Sequence, residues 1–267
     1  GKRFMFPHND IDACRDRLQK AQKITEQTGG GILLITEGVF GMSGDQGKIK
    51  EIVDLRKNEG YDFRLMVDDA HGFGTLGETG QGAGEYQGVQ KEIDVLLGTF
   101  AKSMASIGAF VCANSDVIEY LAYNMRSQIF AKSLPMPLVV GAIKRLELLK
   151  DPIHKNALWK IADALQKGLR EAGFNLGNTN SCVTPVMLSG TLGEATKLTF
   201  DLREKYGLFC SIVTYPVVPK GMILLRLIPT AVHTLEDVSY TIETFKAIKQ
   251  KLENGEYHSD ELLNANA

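Results

Sequence analysis

Three short segments of this 267-residue chain concentrate side chains able to do chemistry. In LMVDDAHG, Asp68 and His71 follow directly on an apolar run that reads as a strand. Ligands of parallel α/β sheets bind outside the carboxyl ends of the strands, which is where this pair would lie. A carboxylate buried at such a place requires a cationic partner, and a protonated heterocycle would serve. A turn-capping aspartate followed by a hydrogen-bonded histidine would read the same way.

The second segment, DVLLGTFAKSMASIGAFV, places Lys102 between two apolar runs. A lysine buried there is costly unless paired or neutral, and a lowered pKa is what an imine-forming lysine requires. The alternative is a lysine whose stem packs while its ammonium reaches water. Thr99, three residues earlier, adds a hydroxyl suited to a phosphate oxygen. The third segment, MILLRLIP, holds Arg226 inside an apolar strand, where a guanidinium that cannot shed its charge must face a carboxylate. That carboxylate is either a protein acid or a substrate. An aldehyde-trapping lysine, an acid for a ring nitrogen, a phosphate hydroxyl and a carboxylate-binding arginine together describe one cofactor, pyridoxal phosphate.

The elements that must position these groups follow from periodicity. Ile11, Cys14, Leu18, Ala21 and Ile24 predict a helix stopped by Gly29, and a second runs through Ile49, Ile52 and Val53 to Gly60. Short apolar strands are expected at 32–35, 65–67, 95–100 and 107–112, the alternation with helices implying a largely parallel sheet. After long helices at 136–150 and 154–172, broken at Asp151-Pro152, strands at 185–188, 208–213 and 222–228 alternate with helices near 193–205 and 235–253. This is an α+β pattern, so the domain boundary is expected near Asp151, with a frayed tail from 255. Gly72, Gly74 and Gly77 spell GxGxxG, but ETGQGAGEYQG follows without helical periodicity. A dinucleotide site needs a helix opening inside that motif, so these glycines predict a close-packed loop instead.

Composition narrows the classes. Thirty Lys and Arg against 32 Asp and Glu leave a net charge of −2, giving no electrostatic reason to expect nucleic-acid binding. No apolar run approaches the roughly 18–20 residues that span a bilayer, and no secretory h-region opens the chain. Four scattered cysteines without CxxC read as buried thiols of a cytoplasmic protein, with neither a disulfide frame nor a metal site.

VDDAHGFGTLGETGQG followed by GTFAKSMASIGAF resembles the α-oxoamine synthases, pyridoxal-phosphate enzymes of the aspartate-aminotransferase fold (fold type I). HND at 8–10, TEGVFGMSGD at 36–45 and LLRLIPTAVHT at 224–234 match in order and spacing. The resemblance implies an α/β large domain over 1–150, mainly of parallel sheet, that binds the cofactor, and a smaller α+β domain over 151–267. It implies that Asp68 keeps the pyridine nitrogen protonated, His71 contacts the phenolic oxygen, Lys102 forms the imine and Thr99 holds the phosphate. Ser133, in IFAKSLP, is implied to lie near the cofactor phosphate of a partner subunit in a homodimer, and Arg226 to bind the substrate α-carboxylate.

Members condense an amino acid with an acyl-CoA and lose carbon dioxide. TFAKSMASIGAF is most similar to the lysine segment of serine palmitoyltransferases, which implies L-serine, a long-chain acyl-CoA and a 3-ketosphinganine-type product. The alternatives are glycine C-acetyltransferase, 8-amino-7-oxononanoate synthase, or a non-catalytic partner subunit; retention of Lys102, Asp68 and His71 argues against the last. Ala101 departs from the common serine, and Thr214 with YPVVP departs from an arginine-containing stretch of some serine palmitoyltransferases. Members also carry an upstream segment supplying a histidine that stacks on the cofactor ring. Neither His8 nor another histidine here matches it, so the resemblance implies a chain beginning partway through the large domain.

Overall fold

The computed structural model of the chain describes residues 1–258, so the expected fraying can be judged only up to His258. The chain divides into two compact units, residues 1–40 with 46–152, and Gly41–Asp45 with the residues from Ile153 onward.

The first unit is built on a four-stranded sheet in the order β1 (Leu33–Glu37), β2 (Arg64–Asp68), β3 (Val95–Thr99), β4 (Ala109–Ala113). β1, β2 and β3 are mutually parallel, and β4 returns antiparallel to β3. Leu65 and Val67 of β2 are fully buried while Arg64 is exposed, as alternation on a half-covered strand requires. Helix α1 (Ile11–Thr28) starts where the Asp10 carboxylate accepts the Ala13 N–H at 2.8 Å and ends at Gly29 in the left-handed region. Helix α2 (Ile49–Glu59) buries Ile49, Ile52, Val53 and Leu55, which with Phe63, Leu65, Val67 and Leu76 are at most 2% exposed.

The short helix α3 (Ala83–Tyr86) follows the glycine-rich run, and residues 70–80 are turns, so no helix opens inside GxGxxG. Helices α4 (Ser115–Asn124) and α5 (Arg126–Ile129), which periodicity did not reveal, contain no buried residue, though Val117 and Leu121 of α4 are half-buried at i, i+4 spacing. α4 begins on the Asn114 side chain, which accepts the Val117 N–H. Helix α6 (Met136–Leu149) ends the unit.

In the second unit α7 (Ile153–Glu171), α8 (Leu192–Tyr206) and α9 (Leu235–Glu253) accompany an antiparallel sheet ordered β5 (Thr184–Ser189), β7 (Met222–Leu227), β6 (Ser211–Val213). Its core contains Leu169, Val186, Leu198, Leu202, Leu225, Phe245 and Ile248, all fully buried. Both α8 and α9 open with reciprocal capping boxes, Thr191 with Glu194 and Thr234 with Asp237. β6 is shorter than the expected 208–213 because the end of α8 takes the first residues: Gly207 is left-handed and the Leu208 N–H donates back to Leu202 at 2.9 Å.

Residues 255–258 do not fray. Tyr257 is buried and its hydroxyl donates to Asp201 at 2.6 Å. Cys14 and Cys210 are buried, and burial pushes each thiol up to about 11, whereas Cys112 is exposed, contrary to the expected burial. No helix among the described residues is long and apolar enough to cross a membrane.

Candidate active site

β2 and β3 run parallel and end together, with Asp68 in register with Leu97. Asp68 is the last residue of β2, and Thr99 ends β3 two residues beyond that register point. The elements thus gather Asp68, His71, Thr99 and Lys102 at one end of adjacent strands. The half-buried Asp68 behaves partly as the turn-capping alternative predicts: Oδ1 accepts the Ala70 N–H at 3.1 Å. Its Oδ2 has no hydrogen bond among the described residues, so one carboxylate oxygen remains for a ligand. His71, half-buried, starts the glycine-rich turn, and its carbonyl accepts the Thr75 hydroxyl at 3.0 Å.

Lys102 is not buried between two strands, which corrects the expectation drawn from its neighbours. β3 stops at Thr99 and β4 starts at Ala109, leaving Lys102 exposed in the connecting turn. That turn is braced by backbone bonds from Phe100 N–H to Gly108 O at 2.9 Å, Ser106 N–H to Phe100 O at 2.7 Å and Ala105 N–H to Lys102 O at 2.9 Å. Ala105 has φ +43°, a left-handed conformation that favours glycine. The Thr99 hydroxyl serves the turn as well, donating to Gly108 O and accepting the Ala101 N–H, both at 3.1 Å. Ser106 Oγ is buried in the same turn without a hydrogen-bond partner among the described residues. Ser133 is exposed in the connection between α5 and α6.

Arg226 belongs to the second unit. It lies on β7, half-buried, with one Nη donating to Gly41 O at 3.0 Å and contacting Met42 Sδ at 3.9 Å. Its Nε is buried without a partner, and no protein carboxylate among the described residues pairs with it. Of the two partners open to it, the protein acid is therefore not used.

Two residues escaped the sequence reading. Asp69 is 1% exposed, and Ser103 donates to Phe73 O at 2.7 Å. The signal for Asp69 is the doubled acid directly before the glycine-rich run. Burial pushes its carboxyl up to about 6, with the neighbouring Asp68 charge adding to the rise. The N–H groups of Ala83 and Gly72 pull the other way, Gly72 without hydrogen-bond geometry.

The aminotransferase class I and II family matches residues 2–245. The chain is 60% identical over 260 residues to a cysteate-C-fatty acyltransferase of Capnocytophaga ochracea, covering 97% of this chain and 61% of that protein. It is 34% identical over 253 residues to a serine palmitoyltransferase of Sphingobacterium spiritivorum, covering 94% of this chain and 61% of that one. Among solved structures, a serine palmitoyltransferase with its pyridoxal-phosphate internal aldimine superposes with TM-score 0.83 at 31% identity, over 92% of this chain and 60% of the other. The chain thus spans about 61% of the length of the curated relatives it matches, and it has their fold-type I architecture. The chain belongs to the aminotransferase class I and II family.

Proposed function

We propose that this chain carries the amine, acid and arginine of a pyridoxal-phosphate acyltransferase that joins cysteate to a fatty acyl-CoA. A carbon–carbon bond forms between the amino-acid α-carbon and the acyl carbonyl carbon. The thioester bond breaks to release CoA, and the bond to the α-carboxylate breaks to release carbon dioxide. The observation that carries the chemistry is the gathering of Asp68, His71, Thr99 and Lys102 at the shared ends of β2 and β3. The choice of cysteate rests on 60% identity to the cysteate enzyme against 34% to the serine enzyme.

The residues present fit the cofactor. Lys102 offers an exposed amine, Asp68 keeps an uncommitted oxygen, and the Arg226 guanidinium has a buried N–H without a partner. When bound, pyridoxal phosphate supplies an electron sink for negative charge at the substrate α-carbon. In this reading Asp68 holds the proton at the pyridine nitrogen, and His71 hydrogen-bonds the ring oxygen. Lys102 would hold the cofactor through its amine and would serve as the base that takes up the substrate α-proton. Thr99 and the partner copy's Ser133 serve the phosphate, and Arg226 orients the α-carboxylate as a charged fork. The working form on this reading is a homodimer.

A second reading, L-serine in place of cysteate, draws on the TFAKSMASIGAF segment and the serine palmitoyltransferase fold match. Thiol release from palmitoyl-CoA, with cysteate, L-serine, glycine and L-alanine compared at equal concentration, separates the readings. Cysteate is expected to give the fastest release; L-serine at or above the cysteate rate overturns the assignment.

A further inference from the structure

We propose that Asp69 is a positioning residue: its buried side chain fastens the glycine-rich turn to the end of β2 and so sets the directions of Asp68 and His71. This rests on the reading of those two residues as cofactor ligands.

Asp69 ties together three stretches of backbone. Its own N–H donates to Leu97 O on β3 at 2.8 Å, and its carbonyl accepts the Phe73 N–H at 2.9 Å. Its Oδ2 accepts the Ala83 N–H at 2.7 Å, so the chain leaves β2, makes the turn and is brought back onto the residue where it left. The enclosing wall is glycine. A Cβ at Gly82 would lie 1.8 Å from Oδ2, and a Cβ at Gly38 or Gly72 would lie 2.0 or 2.2 Å from Oδ1. No side chain larger than hydrogen is compatible with the carboxylate at any of the three positions. Gly82 also has φ +108°, so it is bound to glycine by conformation as well as by space.

The far side of the turn is fastened next to Lys102. Ser103 Oγ donates to Phe73 O at 2.7 Å, and a Cβ on Gly74 would lie 2.4 Å from that hydroxyl. The turn closes on itself through the Gly74 N–H to Gly80 O bond at 2.8 Å. Asp69 therefore links the acid and histidine to the lysine turn through packed backbone. The close-packed loop expected from the GxGxxG spacing has its purpose here. A buried carboxylate is an expensive way to hold one N–H, which is why a role beyond filling space is inferred.

The test compares the native chain with Asp69→Ala, Asp69→Asn and Ser103→Ala at a temperature where each is folded. Amide hydrogen exchange is followed without cofactor, and pyridoxal-phosphate affinity is read from visible absorbance. In Asp69→Ala, exchange is expected to quicken at 73–83 and also at 70–71 and 102–104, with affinity falling about tenfold. Asp69→Asn, which keeps an acceptor for Ala83, should restore affinity to within about threefold of native. Quickening confined to 82–83, or a folded Asp69→Ala with native affinity, overturns the proposal. If Asp69→Ala does not fold, Ser103→Ala decides: quickened exchange at 73–80 and at 102–104 supports it, and native exchange at both refutes it. A native chain that gives no Lys102-dependent absorbance refutes the proposed function instead, and the exchange arm still judges Asp69.

Discussion

Asp69→Asn should change how stability depends on pH, by an amount the burial of this residue sets. The carboxyl is 1% exposed and holds its proton to about 6 in place of the ordinary 3.8, because burial disfavours its charged form. Asp68 is the charged neighbour that adds to the rise. Between pH 4 and pH 6 the folded chain therefore binds more protons at this site than the unfolded chain, and stability must fall as pH rises. Once both states are ionised the loss amounts to about 3 kcal/mol. The asparagine cannot ionise yet keeps a carbonyl for the Ala83 N–H, so it escapes that loss. The stability difference between variant and native should move in the variant's favour by about 2 kcal/mol from pH 4 to pH 7, because the unfolded carboxyl is already more than half ionised at pH 4. Trp159, the only tryptophan, sits in the other unit, so its fluorescence is the wrong probe. Native-state amide exchange at Leu65 and Val67, buried on β2, reads the unit that contains Asp69. A difference that stays flat across this range would refute the argument.

Arg226→Ala should weaken amino-acid binding by roughly 10- to 150-fold, the worth of a charged hydrogen bond at about 1.5–3 kcal/mol, while cofactor absorbance persists. Unchanged affinity in an absorbance titration with cysteate would remove it from the carboxylate site. Thr99→Val leaves the Ala101 N–H without its acceptor and removes one of the two donors to Gly108 O, which keeps the Phe100 N–H. A stability loss of about 1–2 kcal/mol by urea denaturation and weaker cofactor binding are expected. At Asp201, burial alone would raise the carboxyl, but bonds from Lys205, Lys251 and Tyr257 outweigh it and hold it down to about 2. That stabilisation is present above about pH 4 and lost as pH falls toward 2. Asp201→Asn should therefore lower the thermal midpoint at pH 7 and converge with the native chain near pH 2.

The strands and long helices were legible because their apolar residues recur at period 2 or 3.6 in the residue order, in several cases with one face buried against their own unit. α1 and α2 even announced their ends through Gly29 and Gly60. α4 and α5 left too short a mark, with ten and four residues giving few turns in which a period could show. The site was legible as residue types but not as environments. Lys102 has apolar neighbours in sequence, yet the antiparallel return of β4 puts it on an exposed turn. Asp69 escaped because its partners are glycines and backbone N–H groups up to 31 residues away, which no side-chain pattern records. Tyr257 reads as part of a polar tail until Asp201, 56 residues away, is brought to its hydroxyl.

The most direct test of the central claim is borohydride reduction of the chain incubated with pyridoxal phosphate, followed by mapping of the labelled lysine. The label should fall on Lys102 and vanish in Lys102→Ala. Addition of cysteate before reduction should remove it from the native protein, because the substrate amine displaces the lysine. A label on any other lysine, or one indifferent to cysteate, would contradict the account.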